Sequence, residues 1–331
     1  MYYKWGQLMS DIKYVGHENL HPFLKAMLAY NDYDYSNDPT NISTTSLMKP
    51  THMVALERFN KDTSKEINLE GMIPSVMGNA MHSLLEVALE KTSEEMWKQF
   101  GIPKPEKLEV RQEERVIRTL HGYTVTGKFD MLYMYDGSEW HLADLKTMSV
   151  WALMIDPIKK KEEFIKQLSI YRWLNHTVTI ADRAEILYWY TDWSKADSMR
   201  KSSYPASRIG HLEIALWSLE DTEKYISDKL LKLIKATESL EKSGVTGTKC
   251  DDSELWKTEN TFKYYKNPKK TDRATKNFET YGEAHARYMK DKAVGTIIEV
   301  SGEIKRCKYC SVTAFCPDYA TYKALGYIKE T

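Results

Sequence analysis

A short stretch at residues 127–147, GKFDMLYMYDGSEWHLADLKT, constrains the fold more than any other part of the sequence. It predicts two strands, residues 128–135 and 139–147. The Asp136-Gly137 pair between them predicts a tight turn, because Asp-Gly flanked by apolar runs is a strong hairpin signal. The chain is therefore expected to contain a β-sheet with this hairpin at its centre.

Three charged side chains lie in this apolar hairpin. Because side chains alternate along a strand, Asp144 and Lys146 project from one face, and Asp130 belongs to the neighbouring strand. Two carboxylates on adjacent strands suit a hard divalent cation such as Mg²⁺ or Mn²⁺, and a lysine beside them can neutralise a phosphate or orient a water. The pattern indicates phosphodiester hydrolysis. The alternative is a surface hairpin with a cross-strand ion pair, which contributes little stability.

The composition narrows the class of protein. A length of 331 residues allows one large domain or two small ones, and 42% hydrophobic residues suffice for a substantial core. Lys+Arg and Asp+Glu balance at 47 each, so a nucleic-acid surface would be a local patch. The sequence shows no secretory signal and no run of about 18 apolar residues that would span a membrane. We expect a cytoplasmic protein with no membrane partner.

The segments before the hairpin predict a helix and a strand. After a flexible segment at 71–78, a helix is expected over 79–100, and a half-exposed strand over 107–119. His82 and Glu86 are four residues apart, so they share one face of the helix. A single histidine on a helix is more often a packed or surface residue than a ligand.

A second helix is expected over residues 159–176, after the hairpin. Gln167 and Tyr171 have the same four-residue spacing beside an apolar stripe. Taken alone, this pattern favours a buried tyrosine with a neighbouring glutamine.

The C-terminal tail contains all four cysteines, and the last three form a C-x2-C-x5-C pattern: Cys250, Cys307, Cys310 and Cys316. Intracellular thiolates at this spacing usually indicate metal or redox chemistry. Four soft ligands suffice for an iron–sulfur cluster or a structural zinc ion, and the spacing does not choose between them. Unrelated reduced thiols are a third alternative.

Residues 263–276 of the tail are basic, with Tyr264 and Tyr265 among the lysines. Basic residues interleaved with aromatic ones suit contacts with a nucleic-acid backbone and stacking on bases. The alternative is a solvated run of charge.

Taken in order, these motifs resemble the RecB-like branch of the PD-(D/E)xK nuclease superfamily. The residues that carry the resemblance are Gly78-x3-His82, Gly127-x2-Asp130, Asp144-Leu145-Lys146-Thr147 and Gln167-x3-Tyr171. The C-terminal cysteines resemble the iron–sulfur members of that branch, which include CRISPR-associated four-cysteine exonucleases, the AddB nuclease domain and phage-encoded relatives. The tail looks most like the phage type. The resemblance covers residues 75–175 and 245–320.

The resemblance implies an α/β, restriction-endonuclease-like core, with a central mixed sheet flanked by helices and a C-terminal cysteine segment. It implies one set of ligands for Mg²⁺ or Mn²⁺: His82, Asp130, Asp144 and the carbonyl of Leu145. Lys146 would hold the attacking water or the scissile phosphate. Gln167 and Tyr171 would position the DNA strand, and Glu86 would hold a water near the metal.

The resemblance also implies that Cys250, Cys307, Cys310 and Cys316 hold a 4Fe-4S cluster, with Zn²⁺ as the alternative. One difference concerns the first ligand. In the CRISPR-associated proteins the first cysteine precedes the histidine motif, whereas here no cysteine precedes Cys250. All four ligands would then come from the tail.

The function predicted from the sequence is a metal-dependent deoxyribonuclease of recombination, repair or phage DNA metabolism. By analogy with the cluster-containing relatives, we expect an exonuclease acting on duplex ends or single strands. The alternative is a non-catalytic DNA-binding protein with a structural iron–sulfur or zinc site. A recombination protein or a second copy of the chain is the expected partner, and the host cytoplasm is the expected location if a phage encodes the protein.

The predicted segments are 1–70 (N-terminal helices and loops), 71–245 (nuclease core) and 246–331 (cysteine cluster and basic segment).

Overall fold

The structure is a computed structural model that describes residues 12–30, 38–60, 65–100, 108–135, 137–155 and 157–329. The strands of this part are Ile12–Val15 (β1), Asn41–Ser43 (β2), Lys65–Asn68 (β3), Leu108–Gln112 (β4), Arg115–Leu120 (β5), Tyr123–Lys128 (β6), Met131–Tyr135 (β7), Trp140–Met148 (β8), Ile180–Tyr190 (β9), Ile209–Ala215 (β10), Thr261–Tyr265 (β11), Lys276–Phe278 (β12) and Thr296–Val300 (β13).

The helices of the same part are Pro22–Ala29 (α1), Thr44–Met48 (α2), Thr51–Phe59 (α3), Ile73–Lys91 (α4), Glu94–Gln99 (α5), Val150–Ile155 (α6), Pro157–Leu174 (α7), Lys195–Arg200 (α8), Leu219–Ser243 (α9), Tyr281–Lys290 (α10) and Pro317–Ala324 (α11). None of these helices is both long and apolar enough to cross a membrane.

The chain forms two compact units. The first comprises residues 1–48 and 62–231, and the second comprises residues 49–61 and 232–331. The second unit therefore combines a short N-terminal segment, which contains α3, with the C-terminal part of the chain. The division into three segments that the sequence suggests stays a prediction.

A five-stranded mixed sheet lies at the centre of the first unit, in the order β10-β9-β8-β7-β4. Adjacent strands of this sheet run antiparallel, except for β8 and β9, which run parallel. Parallel neighbours need a crossover connection, and α6 and α7 supply it. Both α4 and α7 pack against β8. The predicted α/β fold with a central mixed sheet flanked by helices is confirmed.

The predicted hairpin is present, but its first strand is interrupted. β6 pairs with β5 and β2 in a separate three-stranded sheet, whereas β7 pairs with β8 and β4. The change of partners requires a break in the strand, and Asp130 lies in this break rather than within a strand. Gly137 has a φ of +75°, which suits a tight turn. Asp136, the other residue of the predicted turn, lies outside the described residues.

The predicted boundaries of the first helix are wrong. Residues 71–78 are not a flexible segment, because α4 begins at Ile73 with Pro74 in its first turn, a position that proline favours. The helix ends at Lys91. The hydroxyl of Ser93 then accepts a hydrogen bond from the backbone N–H of Met96 and begins a new helix, α5.

The second predicted helix is confirmed as α7. Its buried residues include the predicted apolar stripe: Phe164, Leu168, Tyr171 and Leu174. This buried face packs against β6 at Gly127. A Cβ atom on Gly127 would lie 2.7 Å from Tyr171 Cε1, and 2.8 Å from both Leu174 Cδ1 and Thr44 Oγ1. The glycine is therefore required by close packing.

Gly127→Ala is expected to lower the free energy of unfolding by about 1–3 kcal/mol, since an added methyl group in a packed core forces its neighbours to move. Urea unfolding followed by circular dichroism measures this change. Gly282→Ala is the matched control, because a Cβ atom on Gly282 would meet no atom within 4 Å. Equal stability of the two variants would contradict the packing argument.

In the second unit, β12, β11 and β13 form an antiparallel sheet against which α10 packs. Tyr264 is fully buried there, and its hydroxyl lies 2.6 Å from the carbonyl oxygen of Val294 and 3.0 Å from Asp291 Oδ2. Tyr265 is only 6% exposed. The prediction that these rings stack on nucleic-acid bases is wrong, because both rings are buried, on opposite faces of β11.

Candidate active site

A histidine and two carboxylates converge where three segments of the first unit meet. His82 comes from α4, Glu113 from the turn between β4 and β5, and Asp130 from the break between β6 and β7. His82 Nδ1 lies 3.1 Å from Glu113 Oε1 and 3.5 Å from Asp130 Oδ1. One ligand atom from each of the three residues lies within 4.8 Å of the other two. This is the spacing of groups that can share one cation.

Glu113 was not predicted from the sequence. It divides the predicted strand at 107–119 into β4 and β5, and its backbone has a φ of +53°, in the left-handed region. Its N–H donates to the carbonyl oxygen of Asp130 at 3.2 Å, which fixes the turn beside the break in the hairpin. The one signal in the sequence is the charged run Gln-Glu-Glu-Arg at 112–115, which interrupts the expected alternation.

Glu113 also connects the cluster with a lysine that the sequence did not single out. Lys128 Nζ lies 2.6 Å from Glu113 Oε2, while Oε1 faces His82. Burial raises the pKa of Glu113, but the hydrogen bonds from His82 and Lys128 outweigh burial and lower it overall. Glu113 is therefore a carboxylate that orients the imidazole of His82.

Asp144 and Lys146 lie on one face of β8, as the alternation of the strand predicted. Asp144 is 1% exposed, and its Oδ2 forms an ion pair with Lys146 Nζ at 2.6 Å. Neither oxygen of Asp144 has a well-aligned hydrogen-bond donor among the described residues. The backbone N–H of Leu145, the residue between Asp144 and Lys146, donates to Asp130 Oδ2 at 2.7 Å. This bond connects the pair on β8 to the cluster around His82.

The pKa values report how strongly these groups interact. Burial and the charge of Asp144 raise the pKa of Asp130 to about 7, against the opposing effects of Lys146, His82 and the Leu145 N–H. The hydrogen bond to Glu113 raises the pKa of His82. Burial opposes the charged form of Lys146, but Asp144 and Asp130 outweigh burial and raise its pKa. Without a metal ion, the excess of negative charge in the site therefore favours the protonated forms of Asp130 and His82.

This set of donors fits a hard divalent ion. Carboxylate oxygens dominate it, with one imidazole, as Mg²⁺ and Mn²⁺ sites commonly require. Oδ1 of Asp144 is buried with no hydrogen-bond partner in the described part of the chain, which is costly, and a bound cation would satisfy it. The structure brings His82 and Asp130 together as predicted, with Asp144 and Lys146 beside them, and adds Glu113.

The other predicted site residues have different surroundings. Gln167 Nε2 donates to the hydroxyl of Tyr171 at 3.2 Å, and Tyr171 is 5% exposed against Gly127. This agrees with the alternative of a buried tyrosine beside a glutamine. Glu86 is exposed on α4, one turn beyond His82. The predicted roles of Gln167, Tyr171 and Glu86, and of the Leu145 carbonyl, stay predictions.

The four cysteines lie in the second unit, and none forms a disulfide. Burial, Glu254 and the other three thiols raise the pKa of Cys250 to about 12. Burial and the thiols of Cys310 and Cys316 raise the pKa of Cys307 to about 11. The four sulfur atoms are therefore close enough to interact, although 57 residues separate Cys250 from Cys307 in the sequence.

Thermal stabilisation by Mn²⁺ is expected to increase between pH 5.5 and pH 8. Metal ligands must be deprotonated, and the pKa of Asp130, raised to about 7, keeps a proton on this carboxylate at low pH. The raised pKa of His82 acts in the same direction. For a pKa of about 7, the proton that Asp130 must release weakens binding about 30-fold at pH 5.5 relative to pH 8. Thermal unfolding with and without MnCl₂ at the two pH values measures the effect.

The metal-free protein should show the opposite trend. A raised pKa in the folded state contributes stability at low pH, and this contribution is lost as pH rises through the folded pKa, about 7 for Asp130. Between pH 5.5 and pH 8, metal-free Asp130→Asn should lose less stability than the metal-free wild type does. Over the same range, its stabilisation by Mn²⁺ should also increase less. Equal stabilisation of the wild-type protein by Mn²⁺ at pH 5.5 and pH 8 would contradict the assignment of Asp130 as a ligand.

Comparison with protein families gives one match, to the PD-(D/E)XK nuclease superfamily, over residues 51–317. No curated protein matches the sequence. The chain is similar to several solved structures. With SSO0001 it shares 17% identity and a TM-score of 0.41, covering 63% of this chain and 84% of that one.

The alkaline exonuclease LHK-Exo of Laribacter hongkongensis shares 14% identity and a TM-score of 0.37, covering 62% of this chain and 93% of that one. A phage-related exonuclease of Haemophilus somnus 129PT shares 14% identity and a TM-score of 0.33, covering 66% of this chain and 93% of that one.

Proposed function

The chain belongs to the PD-(D/E)XK nuclease superfamily, and we propose that it is a Mg²⁺- or Mn²⁺-dependent deoxyribonuclease that degrades DNA from ends. The observation that carries the proposal is the carboxylate of Asp144, which is 1% exposed and lies beside a lysine and a second carboxylate, and whose Oδ1 has no hydrogen-bond partner among the described residues. A degenerate, non-catalytic site would be expected to lose such a costly arrangement.

The ligands of the ion in this proposal are His82, Asp130, Asp144 and the carbonyl of Leu145. When bound, the ion would lower the pKa of a water and polarise the scissile phosphate. The Leu145 N–H holds Asp130 in position, and Glu113 lies 3.1 Å from Nδ1, the nitrogen of His82 that faces Asp130. Such outer partners commonly determine how well metal ligands are oriented.

Lys146 has a separate role in the proposed reaction. Its raised pKa keeps the ammonium group charged at neutral pH, next to Asp144. We assign it to the phosphate, where a fixed positive charge favours the negative charge that develops in the transition state. Gln167, paired with Tyr171, is partly exposed and is assigned to the DNA strand, with Tyr171 supporting it from the core.

The preference for DNA ends rests on the resemblance to cluster-containing RecB-like exonucleases. The same resemblance supports a metal centre at Cys250, Cys307, Cys310 and Cys316, either an iron–sulfur cluster or a zinc ion. Reduced thiols that are close together, outside any disulfide, fit such a centre and suit a reducing compartment such as the cytoplasm. The proposed nuclease core, residues 71–245, contains every residue assigned to the divalent ion, the phosphate and the DNA strand.

Digestion of end-labelled linear duplex DNA and of closed circular DNA with Mn²⁺ tests this function. The wild-type protein should degrade the linear substrate only, and Lys146→Met should degrade neither. Cleavage of both substrates by the wild type would make it an endonuclease. Cleavage of neither, by protein that binds DNA, would support the alternative of a non-catalytic partner in recombination.

A further inference from the structure

A buried histidine lies beside the cysteines of the second unit. His52, on α3, is 4% exposed, and its Nε2 lies 3.3 Å from Cys316 Sγ. Its Nδ1 lies 2.7 Å from Thr246 Oγ1. The sequence pattern does not point to His52, because 264 residues separate it from Cys316. His52 has no role in the proposed nuclease site.

The hydrogen bonds around Thr246 determine which nitrogen of His52 carries the proton. The hydroxyl of Thr246 donates its one proton to the carbonyl oxygen of Thr248 at 2.8 Å. It must therefore accept from His52, so Nδ1 is the protonated nitrogen. In the neutral ring, the lone pair of Nε2 then points towards Cys316. This is the form of imidazole that binds metal ions, held by an outer hydrogen bond as metal-binding histidines usually are.

We propose that His52 is a ligand of the cysteine centre and that its Nε2 shares one metal ion with Cys316 Sγ. Bond lengths of 2.0–2.1 Å to nitrogen and 2.3 Å to sulfur, at a tetrahedral angle, place the two ligand atoms about 3.6 Å apart. The observed separation of 3.3 Å is close to this value. The inference goes beyond the nuclease site and rests on the proposed metal centre.

The separation is also relevant to whether the centre is a single ion or a cluster. In a 4Fe-4S cluster, four cysteines serve four iron atoms, so neighbouring protein ligands do not meet at one metal. Two ligand atoms 3.3 Å apart suit one tetrahedral ion, and an imidazole with thiolates is the donor set of structural zinc. A tetrahedral ion needs two further ligands, and we assign these to Cys307 and Cys310, since the thiol of Cys307 interacts with the thiols of both Cys310 and Cys316.

A nearby carboxylate belongs to the surroundings of this ion. Asp318 Oδ2 lies 3.9 Å from His52 Nε2, and Oδ1 of the same residue lies 3.1 Å from Lys249 Nζ. Because Lys249 already balances its charge, we assign Asp318 to the second layer around the metal. An ion bound by His52 and Cys316 would join α3 to the C-terminal segment within the second unit.

X-ray absorption at the zinc edge of the wild-type protein tests the proposal without any substitution. The expected shell is one imidazole nitrogen at about 2.0–2.1 Å and three sulfur atoms at about 2.3 Å. A shell of four sulfur atoms, or a content of about four iron and four sulfide per chain, would overturn it. Neither result depends on DNA cleavage, so the nuclease proposal can fail or succeed independently.

Cobalt substitution of variants supplies the second measurement. His52→Cys should retain Co²⁺ and gain the charge-transfer absorption of one additional thiolate, whereas His52→Ala should bind Co²⁺ about 100-fold more weakly or worse. Ser311→Ala is the matched control, because Ser311 Oγ donates to Glu57 on the same helix, α3, without a metal role. Unchanged Co²⁺ affinity and spectrum in His52→Ala would contradict ligation by His52.

Discussion

Asp144→Asn is expected to abolish Mn²⁺-dependent DNA cleavage, by about 10³-fold or more, while the metal-free protein stays folded. The amide is a poor ligand for a hard cation, so the metal affinity should fall together with the activity. The fold should tolerate the change because Asn fills the same volume. The substitution also removes the repulsion between the carboxylates of residues 144 and 130, and Asp130 remains as the counter-charge of Lys146.

Lys146→Met should lose cleavage to a similar degree for a different reason. Methionine keeps the apolar stem but removes the charge assigned to the phosphate. Two buried carboxylates then lack their cation, so the metal-free variant should be less stable than the wild type. For the same reason it should bind Mn²⁺ at least as tightly as the wild type does.

Cleavage of labelled linear DNA and calorimetric titration with Mn²⁺ measure these two properties separately. Asp144→Asn should lose both, whereas Lys146→Met should lose only cleavage. Lys224→Ala is the control, because Lys224 forms an exposed pair with Asp228 on α9 and should affect neither. Near-normal cleavage by either Asp144→Asn or Lys146→Met would show that the site is assigned wrongly.

The core of the site was predictable because local rules determine it. Alternation along one strand placed Asp144 and Lys146 on the same face, and helical spacing predicted the buried stripe of α7. These patterns depend on residues close together in the sequence. They required no knowledge of which strands pair.

The parts that were missed depend on tertiary contacts. Glu113 joins the site because β6 and β7 belong to different sheets, which forces a turn against Asp130. The same limitation applies to Tyr264, whose basic neighbours suggested a nucleic-acid surface, although the pairing of β11 buries the ring. His52 meets Cys316 only after α3 joins the C-terminal unit.

Cys310→Ala is expected to remove the metal of the cysteine centre and to lower the melting temperature by roughly 10 °C. A ligand present at 1,000 times its dissociation constant stabilises the folded state by about 4 kcal/mol. For proteins of 150–250 residues, about 1 kcal/mol corresponds to about 2–4 °C. The effect should be large because the apolar cluster beside the cysteines contains only three buried residues: Leu255, Ile304 and Ile328.

Metal analysis for zinc and iron, with thermal unfolding of the same samples, measures both consequences. Treatment of the wild-type protein with a chelator of soft metals should reproduce the lower melting temperature, and Ser311→Ala, next to Cys310, should not. Mn²⁺ affinity should be unchanged in Cys310→Ala, because His82, Asp130 and Asp144 belong to the first unit. A metal-free wild-type protein with the same melting temperature as Cys310→Ala would instead mean that the four thiols are simply reduced side chains. Joint loss of metal and stability, with Mn²⁺ binding intact, would establish two metal sites with separate tasks.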